Sequence, residues 1–529
     1  MVESRIRRRD PEPGVALKSE VLNKIWLDRT NLEGGRSVTE TCGNLYVAKE
    51  STLATPSQRI LSENITRLRE FFNPTSIVVI GASREPSKPG NVILRNLKKS
   101  GLSLYAVNPY AKEIAGVKCY SSVFDVPGII DMAVIVVPSK FVIQELKKCV
   151  ARRIKNIIII SSGFSEAGEE GRKAEEEARD IIKESGTKLL GPNTLGMLLP
   201  SKKIDTFFVD EYTLPRPRPG DVAFISQSGS ISLAFMDFAK AHNIGLSAFV
   251  GLGNKLDIDE NQLLEYFGED EETKCILLYL ETFSDGRKFA ELCKEICKKK
   301  PVIVLKAGRT ARGVSAAMSH TGRLSKGSDR IVDCVLKRAG VIRAYTEEDV
   351  LDYTAALSWM PPMKKGGVAI VANGGGHCVI SADLIESSED IQLRLAEIGE
   401  IQKEKIKSLL DIPISATNPI DLTAMATDDN FKTTLSVLAK TETVEGVIVE
   451  LATLQGVSER MVKIVQNFFK NCGKPIIVCV PGGDSARKLA KKFEAEKIPV
   501  YPSLKRGIYA ANVLLKRGMW LDRIKNFRR

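Results

Sequence analysis

Histidine is scarce, with three in 529 residues, and aromatic residues make up only 6% of the chain. No apolar run reaches the roughly 18–20 residues that a membrane-spanning helix needs. The most apolar stretches, around Ile157–Ile160 and Val368–Val371, have the length of strands. The basic start, Met1–Asp10, is not followed by an apolar stretch, so no secretory leader is expected. The ten cysteines form neither a CxxC pair nor a Cys/His cluster. That argues against a zinc centre and a disulfide framework, and for reduced thiols in a cytoplasmic setting. The net charge of +12 lacks an aromatic-interleaved basic motif, and the 77 lysines and arginines are spread among 65 carboxylates. Neither nucleic acid nor membrane is therefore an expected partner. One local excess of positive charge, Lys516–Arg529, reads as a solvated basic tail at a helix end.

What is present is an ordinary globular composition, 43% hydrophobic and 27% charged, long enough for three or so domains of about 150 residues. Residues 1–64 are poor in apolar residues and read as an N-terminal extension of low order. From residue 65 to 215, β-branched runs (Ser76–Ile80, Ser103–Val107, Met132–Val136, Asn156–Ile160) alternate with helical stretches (Asn91–Lys99, Lys140–Arg152, Glu169–Glu184). Strands apolar on both faces and separated by helices predict a parallel sheet covered on both sides. A proline-rich linker, Pro215–Pro219, closes this unit. A second series runs over 219–360, with strands at Asp221–Ile225, Ser247–Val250, Cys275–Tyr279 and Val302–Leu305. A third runs over 365–515, with strands at Val368–Val371, Gly446–Glu450 and Pro475–Val480. The fold class is α/β, three successive doubly wound parallel-sheet units.

Each unit carries a strand that ends in a small-residue turn before a helix, where free amides and the positive dipole end suit an anion. The first has Gly81-Ala82-Ser83, with further loops at Val136–Ser139 and Ser161–Phe164 expected on the same sheet edge. The second has Ser228-Gly229-Ser230; the third has Gly374-Gly375-Gly376, where the triplet is expected to let backbone approach a ligand closely. Of the histidines, His242 reads as a helix-terminal residue, and His377 opens the third-unit helix. His320 lies in AAMSHTGRLSK, after the basic stretch Lys306–Gly313, in a composition expected to form a mobile loop. An imidazole there is a competent nucleophile towards phosphorus near neutral pH.

These pieces carry a resemblance. SIVVIGASREPSKPGNVILRNL, YAVNPYAKEIAGVKCYSSV, GPNTLG, FISQSGSIS, MSHTGRLS, NPIDL and IPVYPS occur in that order over about Phe71–Ser503. The run resembles the α part of the NDP-forming acyl-CoA synthetases, the ADP-forming acetate–CoA ligase branch of the succinyl-CoA synthetase superfamily. The resemblance implies a Rossmann-like CoA-binding domain followed by two flavodoxin-like domains, the first of which bears a phosphohistidine. It implies reversible conversion of acyl-CoA, ADP and phosphate into carboxylate, ATP and CoA through an acyl phosphate. By the same resemblance His320 is the phosphoryl carrier and Glu281 its supporting carboxylate. Ser228, Gly229, Ser230, Gly374, Gly375 and Gly376 would receive the phosphate. Gly81, Ala82, Ser83, Lys88, Asn108, Pro138, Ser162 and Gly163 would hold CoA. The sequence departs from the family where Thr194 stands in place of a common Cys, and at His377. No ATP-grasp stretch is visible, so ADP/ATP and Mg²⁺ are expected to come through a separate ATP-grasp β subunit in an α2β2-type hetero-oligomer, with a small carboxylic acid or acyl-CoA as substrate. A non-catalytic CoA- or nucleotide-sensing protein of the same fold is the alternative. An NAD-linked dehydrogenase would leave His320 and two whole units without a role.

Overall fold

The computed structural model describes residues 56–321 and 328–526 apart from 411, 413 and 455, with side chains from residue 63 and not at 318–321. Most of the N-terminal extension, residues 1–55, lies outside the described residues. The extension expected to reach residue 64 gives way at Pro56 to a helix, Pro56–Phe71. Phe72, just beyond that helix, packs on Tyr266 and Phe267 with ring centroids 4.8 and 5.5 Å apart.

Three mainly parallel sheets follow. The first contains β1 (Ser76–Ile80), β2 (Ser103–Val107), β3 (Glu113–Ile114), β4 (Val117–Tyr120), β5 (Met132–Ile135), β6 (Asn156–Ile159) and β7 (Lys188–Leu190), in the order β3-β4-β2-β1-β5-β6-β7. Only β3 runs antiparallel. The order reverses between β1 and β5, so the crevice beyond their carboxyl ends is where a doubly wound sheet binds ligands.

The second sheet contains β8 (Met197–Leu199), β9 (Ile204–Asp205), β10 (Pro219–Ser226), β11 (Leu246–Gly251), β12 (Cys275–Leu280), β13 (Val302–Lys306) and β14 (Ile342–Ala344), in the order β14-β13-β12-β10-β11-β8-β9. It differs from the expected boundary in two ways. β8 and β9, upstream of residue 215, pair antiparallel onto this sheet. Pro219, read as linker, is the first residue of β10, a position where the missing N–H costs no ladder bond.

The third sheet contains β15 (Gly367–Ala372), β16 (Arg394–Leu395), β17 (Ile420–Asp421), β18 (Gly446–Glu450), β19 (Ile476–Cys479) and β20 (Val500–Tyr501). Its order is β16-β15-β18-β19-β20, with β17 paired to β15. Sheets two and three share the flavodoxin-like order, with reversal beside their first strands, β10 and β15.

The basic stretch that starts at Lys516 falls, as its reading as a helix end expected, in the last part of a 23-residue helix, Leu504–Asn526. Arg517 donates to the Cys297 carbonyl at 3.1 Å and the Trp520 indole to the Arg338 carbonyl at 3.2 Å. Arg517 and Trp520 are buried against the second unit and anchor the helix there, whereas Lys516, Arg523 and Lys525 stay exposed. Arg506 adds a bidentate pair to Asp352, both bonds 2.7 Å, tying the third unit to the second.

Candidate active site

At the carboxyl edge of the first sheet, Gly81, Ser83, Lys88, Pro138, Ser162 and Gly163 line one cleft of 660 Å³. Gly81 has φ +95° and a Cβ there would stand 2.6 Å from the Val136 carbonyl oxygen, so this turn demands glycine. Gly163, φ +101°, is held likewise against Ser139. The helix Pro89–Leu97 starts at the cleft with Pro at its first turn, and exposed Lys88 caps it. Two of the anticipated CoA residues do not line the cleft. Ala82 is 3% exposed, its side chain in the core. Asn108 donates from Nδ2 to the Ala82 carbonyl at 2.7 Å and accepts from the Tyr110 amide at 2.8 Å. It braces the turn from behind.

A second cavity of 340 Å³ shares Ile160, Ser162 and Phe208 with this cleft and reaches Ser226–Ser230 on the second sheet. The anticipated anion sites of the first two units are thus neighbours in one trough. Ser228 caps the helix Gly229–Ala241, accepting from the Ile231 amide at 3.4 Å, and its Oγ lies 3.1 Å from the Ser230 Oγ.

Across the switch point stands Glu281, just past β12 and 3% exposed. Buried side chains hold the backbone of Glu281 and Thr282. Both amides donate to Gln227 Oε1, at 2.7 and 3.0 Å. Lys306 Nζ donates to the Glu281 carbonyl at 2.7 Å, and Lys255 Nζ to the Thr282 carbonyl at 2.8 Å. Gln227 Nε2 closes the cradle on Thr282 Oγ1 at 3.2 Å. The Tyr279 hydroxyl lies 3.5 Å from Glu281 Oε1. Burial, then the charge of Glu281, push that hydroxyl well above its ordinary value, so it stays a donor. Because Gln227 sits between Ser226 and Ser228, the Ser228 helix start and the carboxylate are fixed to each other.

The segment of His320 is helical, not the loop its small residues suggested. A helix spans Ala311–Thr321, and alanines at 311, 316 and 317 favour it. The His320 side chain and residues 322–327 lie outside the described residues. The helix packs against the turn Ser165–Ala167, just beyond Gly163, and so runs beside the cleft of the first sheet.

At the third sheet, Gly374 caps the helix Gly375–Ser387. None of the three glycines there has a positive φ. Of the three only Gly375 is crowded: a Cβ would lie 2.7 Å from Asp421 Oδ2, the tip of a side chain that can turn aside. His377 Nδ1 is buried and finds no partner among the described residues. Glu450, at the end of β18, is fully buried and bonded by Ser381; burial lifts its carboxyl to about 7. His242, as expected, ends a helix, and pairs with Glu494 at 2.7 Å. Thr194 donates to the Gly251 carbonyl at 2.5 Å. Among the described residues no helix is long and apolar enough to cross a membrane, and no three His, Cys, Asp or Glu side chains converge for a metal ion.

Gln227, Lys306, Lys255 and Tyr279 were not singled out by sequence. The only signal was the placing of Gln227 inside FISQSGS and of Lys306 at the head of a basic stretch.

Comparison with known proteins agrees with this layout. A CoA binding domain model matches residues 75–200, and the succinyl-CoA ligase like flavodoxin domain model matches 219–357. The chain is 40% identical over 463 residues to the α subunit of ADP-forming acetate–CoA ligase I of Pyrococcus furiosus, covering 86% of this chain and 98% of that one. It is 40% identical over 362 residues to the ADP-forming acetate–CoA ligase of Methanocaldococcus jannaschii, covering 68% of this chain and 50% of that longer one. The solved dinucleotide-forming acetyl-coenzyme A synthetase 1 of Ca. Korarchaeum cryptofilum, in complex with phosphate and ADP, superposes with a TM-score of 0.80 at 34% identity, over 87% of this chain and 99% of that one. With nearly the whole of a curated α subunit matched at this identity, the chain belongs to the family of ADP-forming acetate–CoA ligase α subunits.

Proposed function

We propose that this chain is the phosphoryl-carrying α subunit of an ADP-forming acyl-CoA ligase and works with an ATP-grasp β subunit. The reaction interconverts acyl-CoA, ADP and phosphate with carboxylate, ATP and CoA. The observation that carries the reading is the cradle around Glu281, tied through Gln227 to the Ser228 helix start, which lines a trough continuous with the first-sheet cleft.

The first-sheet cleft fits CoA: it has a volume of 660 Å³, it carries Lys88 and the start of a helix for phosphates, and it adjoins the cavity that reaches Ser228. Bound there, CoA supplies the thiol that leaves as phosphate attacks the thioester carbonyl, which yields an acyl phosphate. Ser228, Gly229 and Ser230 would hold the phosphate oxygens with hydroxyls and amides. An imidazole nitrogen of His320 then takes the phosphoryl group as the carboxylate leaves. Glu281, bonded to the other nitrogen, would fix the tautomer and balance the positive ring. Phosphoryl transfer asks chiefly for alignment and charge stabilisation, which a fixed carboxylate and two helix starts (the second at Gly374–Gly376) provide. His320 last hands the group to ADP, with Mg²⁺ and nucleotide held by the partner. One finding supports a separate partner: the Pyrococcus furiosus relative is named as an α subunit.

The test is a panel of short carboxylic acids assayed for CoA-thioester formation by this chain, the ATP-grasp partner and Mg-ATP. Thioester formation that needs both chains supports the reading. CoA binding without any ATP–ADP exchange would instead favour the non-catalytic alternative.

A further inference from the structure

Two buried lysines hold the backbone beyond β12, but they are not equivalent. Lys255 donates to the Thr282 carbonyl and also pairs with Glu260 at 2.9 Å, both side chains fully buried. Its charge is neutralised on the spot. Lys306, 4% exposed at the end of β13, donates to the carbonyls of Glu281 and Ala307. Among the described residues no carboxylate lies within ion-pair distance of it, and its nearest ring, Phe283, is 5.9 Å away. A buried ammonium held only by neutral carbonyls is costly, and that cost is tolerated where the charge has a use.

We propose that Lys306 is a positioning residue for phosphoryl transfer, pinning the Glu281 backbone with a positive charge that is left free to act on the carrier site. The proposal rests on the reading of Glu281 and His320 given above. The charge lies behind the carboxylate that would face His320, and it is balanced at a distance: Glu281 and Asp329 attract it, while Arg343 and Lys255, the latter with its own Glu260, surround it. Asp329 is itself engaged by Arg309 and Arg343. As negative charge builds on the transferring phosphoryl group, an ammonium already fixed in place needs no reorganisation.

Burial, opposed by Asp329 and Glu281, brings the Lys306 amine down from 10.5 to about 8. Its charge is therefore present below about pH 8 and lost above it. The carbonyl-pinning role of a neutral amine would survive that change better than the electrostatic one, so pH separates the two.

The experiment compares wild type, Lys306→Met and Lys306→Arg, each assembled with the partner, in the rate of phosphohistidine formation from pH 6.5 to 9.5. Lys306→Met is expected to slow labelling by about tenfold or more, less than the loss of a donor that touches the transition state, with CoA affinity unchanged. Wild type is expected to lose rate above about pH 8, and Lys306→Arg to keep its rate through that window, because a guanidinium does not titrate there. A Lys306→Met enzyme with wild-type rate, or an alkaline fall-off identical in wild type and Lys306→Arg, overturns the proposal. If Lys306→Met fails to fold, the pH profile of Lys306→Arg decides alone. Failure of the underlying reading looks different: wild type itself would form no phosphohistidine at any pH.

Discussion

The carboxyl edges of the second and third sheets are built on one plan and equipped differently. In each, the first strand ends in a buried amide residue, Gln227 or Asn373, followed by a helix start. Gln227 takes the amides of Glu281 and Thr282; Asn373 exchanges two bonds with Ala452, at 2.9 and 2.8 Å. The strand registers pair Ser226 with Tyr279 and Ala372 with Glu450, so Ala452 occupies the place of Glu281. The second edge thus has a carboxylate and two lysines beyond the tether. At the third edge the buried carboxyl, Glu450, stands two residues earlier, bonded by Ser381 inside the sheet–helix layer. The frame is common to both edges; under the proposed function the carrier chemistry sits at the second edge, and the third edge offers its helix start.

If that contrast is right, the largest effect comes from Glu281→Gln, which keeps the volume and removes the charge. A loss of about 10²–10³ in phosphohistidine formation is expected, the range found for removing a group that stabilises transition-state charge. Rapid-quench labelling checks it. Next come the two tethers. Gln227→Leu and Asn373→Leu each strand buried backbone groups and should cost about 1–3 kcal/mol in denaturant unfolding. Only Gln227→Leu should also slow labelling, since only it loosens a catalytic group; equal slowing by both would erase the distinction.

Smaller is the effect at Glu450. Burial lifts its carboxyl to about 7 from an ordinary 4.5. The folded state therefore binds the extra proton between those values, and stability falls as pH rises from about 4.5 to about 7, then stays low. Glu450→Gln should leave stability at pH 5 nearly unchanged and raise it by about 1–3 kcal/mol at pH 8, with the labelling rate unaffected. Thermal unfolding at the two pH values shows whether the third edge carries a buried carboxyl without a role in transfer.

Much of the frame was readable from residues alone. β1, β2 and β18 fall where their β-branched runs begin and end. The two- to four-residue strands β3, β4, β8, β9, β16, β17 and β20 are too short to show any periodicity and form because neighbouring strands offer an edge. The helix Ala311–Thr321 was missed because glycine and serine near His320 outweighed its alanines in the reading. The cradle was illegible for another reason. Gln227 and Lys306 bond to backbone 54 and 25 residues away, and no local pattern encodes a side chain that serves a distant carbonyl or amide. The residues expected to touch ligand were readable as types; those that hold them in place were not.

The central claim is that His320 carries the phosphoryl group from one edge to the partner. The most direct measurement mixes this chain with its ATP-grasp partner, Mg²⁺ and radiolabelled ATP, and compares wild type with His320→Ala. The account predicts an acid-labile, base-stable label on the wild-type chain, discharged by ADP, and none on the variant. A label that persists in His320→Ala, or a wild type that forms acyl-CoA without ever becoming labelled, would contradict it.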